Sequence, residues 1–112
     1  MLHAAHASRY HWGAIGKPEN RARGEWQVSR AYTVLGRGGA ALYHANRCLE
    51  ICEKYGIGDW DRAYAYEALS RANRVARHAA EAGKFRKLAR EWGDRIKDRE
   101  DRQHFEKDYA TL

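Results

Sequence analysis

The chain has 112 residues, of which 44% are hydrophobic and 32% charged, with one proline at Pro18. That length supports one domain built on one core, and the composition excludes a disordered tail or a low-complexity linker. A net charge of +6 favours acidic partners, but the 21 basic residues are dispersed among 15 acidic ones, so a polybasic arm is excluded as well.

Leu2 to about Ile15 predicts a first helix. It carries Ala4, Ala7, Ala14 and Ile15 with Tyr10 and Trp12, and runs into Gly13 and Gly16. It has no apolar core of the roughly 7–15 residues that a secretory signal needs, and no stretch reaches the roughly 18 apolar residues of a membrane helix. The expectation is a cytoplasmic protein with no membrane association.

Pro18 suits the first turn of the next helix, where its missing N–H goes unused and Glu19 meets the positive end of the dipole. This helix is expected to end near Leu35, with Val28, Ala31, Tyr32 and Leu35 in one stripe, before Gly36, Gly38 and Gly39. A third helix over about 39–54 buries Ala41, Ala45, Cys48, Leu49 and Cys52. Cys48 and Cys52 stand at i and i+4, a poor spacing for a disulfide, and read as buried thiols.

After Gly56, Ile57 and Gly58, Asp59 is expected to cap a fourth helix that runs from Trp60 through Ala65, Leu69, Ala72 and Ala76. A break is expected near 78–83. The last helix carries Phe85, Leu88, Ala89, Trp92 and Ile96. Beyond it, 100–112 is a charged tail in which Phe105 and Tyr109 either fold back or fray. The fold class is therefore all-α, about five helices stacked as antiparallel hairpins in a single domain: a helix near 2–15, hairpins near 18–55 and 59–99, and the tail.

A repeat underlies this order. Val28-Ser29-Arg30-Ala31 returns 41 residues later as Leu69-Ser70-Arg71-Ala72. A hairpin in such an array cannot bury its apolar face alone, so hairpins stack and leave a surface groove.

Between Trp26 and Ile51 the pattern resembles a tetratricopeptide repeat: Ser29 at a small position, Tyr32 at the tyrosine, Gly36 at the turn glycine, and Ala41 and Cys48 at further small positions. The second unit has Ser70, Ala82 and Ala89 at small positions, with Asn73 in place of the tyrosine and Arg77 in place of the turn glycine. The strings around Ser8–Gly13, Ala22–Arg30 and Gly56–Asp61 also look like those of a family of small uncharacterised bacterial helical-repeat proteins. That second resemblance implies no activity. Relatives with one more upstream helix would leave the first helix here without a hairpin partner, so a homodimer through that helix is expected.

Candidate chemistry is sparse. His3 and His6 share a helix face, but His11 lies about 140° away from His6, and no third ligand converges, so no metal or other cofactor is expected. There is no G-x-S-x-G elbow, no P-loop and no H-E-x-x-H, and Gly36-Arg37-Gly38-Gly39 sits between helices, so catalysis is not expected. Arg71, Arg74 and Arg77 form a row, but Glu67, Glu81 and Glu91 interrupt its field, which makes nucleic acid an unfavoured partner.

If the repeats align, the first helix of each hairpin lines one groove with Arg23, Trp26, Arg30 and Val34 from one unit and Tyr64, Glu67, Arg71 and Arg74 from the other. Arginine forks and rigid rings suit an acidic peptide or protein segment. The opposing reading pairs Arg30 and Arg71 with Glu25 and Glu67 and puts Trp26 in the core. The function expected is a non-catalytic interaction or scaffold module; the alternative is a binder of an anionic small molecule or nucleic acid.

Overall fold

The computed structural model describes residues 17–112. The expected helix near 2–15, with His3, His6 and the homodimer contact expected through it, lies outside these residues. Five helices are described: α1 Pro18–Val34, α2 Gly38–Lys54, α3 Asp59–Val75, α4 Ala79–Gly93 and α5 Arg99–Tyr109. The expected all-α architecture is the observed one, and no strand occurs among the described residues.

The repeated sequence folds into a repeated structure. Gly36 and Arg77, 41 residues apart, both take left-handed backbone at φ +74° and +65°. Around each, the same bonds close the helix: Arg37 N–H donates to Tyr32 O at 2.9 Å, and His78 N–H to Asn73 O at 2.8 Å. Gly36 N–H then reaches Thr33 O, and Arg77 N–H reaches Arg74 O, both at 3.1 Å. This is a Schellman ending in which Arg77 does what glycine does more cheaply. A third copy, at Gly56 (φ +64°), ends α2.

Alanine-rich faces let the helices pack closely. The core holds Val28, Ala31, Ala41, Ala45, Cys48 and Cys52 with Ala65, Leu69 and Ala72. Both thiols are free and buried, as expected. Gly38 is needed for contact: a Cβ there would stand 2.7 Å from Ala76 Cα, so the start of α2 rests against the end of α3. Its counterpart Ala79 is exposed, and α5, the counterpart of α3, has 11 residues where α3 has 17.

Three local expectations are corrected. Asp59 is not the cap of α3: Gly58 takes that position, no side chain caps it, and Asp59 is the first helical residue at φ +60°. The chain break is Ala76–His78, and α4 runs on through Gly83, since packing against α3 offsets the cost of about 1 kcal/mol for a helical glycine. Leu35 is not a stripe residue but lies beyond the helix end, 48% exposed.

Residues 100–112, where fraying and folding back were both open, fold back. Asp98 caps α5 by accepting Asp101 N–H at 2.9 Å. Phe105 is fully buried, its ring lying where a Cβ on Gly93 would approach Cε2 to 2.3 Å. α5 thus packs on α3 and α4.

Candidate functional site

The seam between α1 and α3 is organised by Glu67, which is 0% exposed. A buried carboxylate must be paired to remain charged. Its Oε1 accepts from Trp26 Nε1 at 2.8 Å, and its Oε2 accepts from Arg30 Nη1 at 3.3 Å and Arg71 Nε at 2.9 Å. Trp26 and Glu67 are themselves repeat equivalents, 41 residues apart. The arginines at equivalent places in the two hairpins therefore meet on one oxygen atom.

Arg71 is held further by α5. Its Nη2 donates to Asp108 O at 3.2 Å and to Thr111 Oγ1 at 2.6 Å. Its side chain keeps 15% of its exposure, against 33% for Arg30.

Glu25 does not join this group. It faces α2, where Oε1 lies 3.0 Å from His44 Nδ1 and Oε2 lies 3.4 Å from Arg47 Nε. The pairing of Arg30 with Glu25 is thus corrected: both arginines go to Glu67, because Glu25 and Arg30 are five residues apart and point to different sides of α1.

The aromatic half of the expected groove is closed. Tyr64 is 5% exposed and packs edge-on against Trp26, Trp60 and Phe105 at ring centroid distances of 5.3, 4.9 and 5.3 Å. Its hydroxyl donates to Asp108 Oδ2 at 2.6 Å. Burial, and then that bond, push the phenol well above its usual range. Arg23 forks onto Asp61 at 2.8 and 3.1 Å and lies over the Trp60 ring. Between them remains a cavity of about 70 Å³ lined by Trp26, Cys48, Trp60 and Tyr64.

The other half is open. At the C-terminal turns of α1 and α3 a basin of about 440 Å³ is lined by Arg30, Thr33, Val34, Arg71, Arg74 and Val75. Arg74 is exposed, and its guanidinium bonds to no other described residue. Of the eight groove residues, Arg30, Val34, Arg71 and Arg74 border the basin, Glu67 lies beneath it, and Arg23, Trp26 and Tyr64 serve the closed end.

Thr33, Val75, Asp108 and Thr111 were missed. For Asp108 and Thr111 a signal was present: the period of 41 carries Tyr64 onto Phe105, which places a third helix beside α3. No cluster of metal-ligating side chains occurs among the described residues, and none of their helices is long and apolar enough to cross a membrane. No family model, curated protein or solved structure matches the chain.

Proposed function

We propose that the protein is a non-catalytic interaction module of tetratricopeptide-like hairpins that takes an acidic segment of a partner protein at the arginine basin. The observation that carries the reading is the meeting of Arg30 and Arg71 on Glu67 Oε2 beside the open basin and the unbonded Arg74. Glu67 fixes two guanidinium groups that would otherwise lose several rotamers on binding, so less entropy is lost when a ligand arrives.

Val34 and Val75 supply apolar wall beside this charge. A partner's carboxylates would meet the forks, and its neighbouring side chains would cover Val34, which is 61% exposed. Backbone resonances titrated with a labelled acidic peptide test this. Shifts confined to residues 30–34 and 71–75 support the reading, and shifts elsewhere or none at all refute it.

A further inference from the structure

The basin holds more positive charge than a single carboxylate neutralises. Arg30, Arg71 and Arg74 line it, and the one anion beneath it is the buried Glu67, which leaves two positive charges uncompensated within the site. Unused donors are also available: Arg71 commits Nε and Nη2, and Arg30 commits Nη1, to partners within the chain. Among the described residues this leaves Nη1 of Arg71, Nε and Nη2 of Arg30, and the whole fork of Arg74.

Two helix C-termini lie beside the basin, and their dipoles oppose an anion. Their carbonyls, however, are already occupied. Ala31, Tyr32 and Thr33 accept from Leu35, Arg37 and Gly36, while Ala72, Asn73 and Arg74 accept from Ala76, His78 and Arg77. Thr33 Oγ1 in turn caps Arg30 O at 2.7 Å. Capped carbonyls present a weaker negative field than the two uncompensated guanidinium charges present a positive one.

We propose that the acidic segment carries a phosphomonoester and that this group seats in the basin. The inference rests on the reading above and names its ligand. A phosphomonoester is nearly dianionic at neutral pH and offers three acceptor oxygens, which matches two uncompensated charges and donors arriving from three forks. A glutamate in the same place would satisfy one fork.

The test uses fluorescent peptides with acidic flanks that differ at one central position, which is phosphoserine, glutamate or serine. A fourth peptide carries phosphoserine with amide flanks. Fluorescence anisotropy is expected to show the acid-flanked phosphoserine peptide binding about tenfold or more tighter than the glutamate peptide. That advantage is expected to vanish in Arg74→Ala, whose helical circular dichroism stays unchanged.

Equal affinity of the phosphoserine and glutamate peptides would overturn the phosphate inference and leave the acidic-segment reading standing. Equal affinity of the acid-flanked and amide-flanked phosphoserine peptides would show that the flanking carboxylates contribute nothing and would overturn the acidic-segment reading. No binding by any peptide would overturn both.

Discussion

Ser29 and Ser70 make the same bond 41 residues apart: Ser29 Oγ donates to Ala41 O at 2.9 Å, and Ser70 Oγ donates to Ala82 O at 2.8 Å. Each hydroxyl crosses from the first helix of its hairpin to the second. A larger residue would separate the helices, and an apolar one would remove the bond. Ser29→Ala and Ser70→Ala should each cost about 1 kcal/mol in urea denaturation. A cost confined to one of them would mean that the hairpins are not energetically equivalent.

Arg77 holds a left-handed backbone that its counterpart Gly36 adopts freely. Relief of that strain outweighs the entropy glycine adds to the unfolded chain. Arg77→Gly should therefore stabilise the protein by about 0.5–1 kcal/mol. A lower denaturation midpoint would show that the Arg77 side chain contributes more than its backbone costs.

Gly93 leaves the space that Phe105 fills. A methyl group there cannot be absorbed by a flexible chain end, since the neighbour is a ring with no exposure. Gly93→Ala should destabilise by about 1–3 kcal/mol and should release α5, seen as loss of the near-ultraviolet aromatic signal. A native spectrum would place the anchor of α5 elsewhere.

The tie between α5 and α4 depends on pH. Arg90 beside Glu106 holds the Glu106 carboxyl below its usual range. A depressed folded value gives stability that is present above the unfolded value and lost as pH falls through the folded one. Between about pH 5 and 3 the native protein should lose more stability than Glu106→Gln does. Parallel acid titrations would show that the pair contributes nothing, as many exposed pairs do.

The Cys48 thiol is pushed up by its hydrogen bond to Cys52 and by burial. Thiol reagents act on thiolate, so Cys48 should label only as fast as the protein unfolds. Rapid labelling of the native protein would open the face of α2 that the fold buries.

Much of the fold was legible because it is local and periodic. The apolar stripes, the glycine-marked turns and the V/L-S-R-A repeat specify four helices and two equivalent hairpins without any distant contact. α5 was not legible in the same way, since Arg99–Tyr109 buries one residue among charges and its docking depends on Gly93 in another helix. The site divides similarly. Repeat alignment brought Arg30 and Arg71 together, and the opposing reading paired Arg71 with Glu67 and put Trp26 in the core, but neither could show that Arg30 reaches the same Glu67 oxygen, that Tyr64 turns inward, or that of the three basin arginines only Arg74 keeps an unbonded guanidinium.

The proposed function depends on the arginines at the basin holding an acidic segment. That dependence is read in the affinity of the acid-flanked glutamate peptide for the native protein, Arg30→Ala, Arg74→Ala and the surface control Arg99→Ala, with helicity followed in parallel. Arg71 is unsuited to this comparison because its loss would also strand the buried Glu67 and loosen α5. Arg30→Ala and Arg74→Ala should each weaken binding about tenfold or more and Arg99→Ala less than about threefold, with helicity unchanged. Equal, small losses in all three would mean that the basin arginines do not hold the segment.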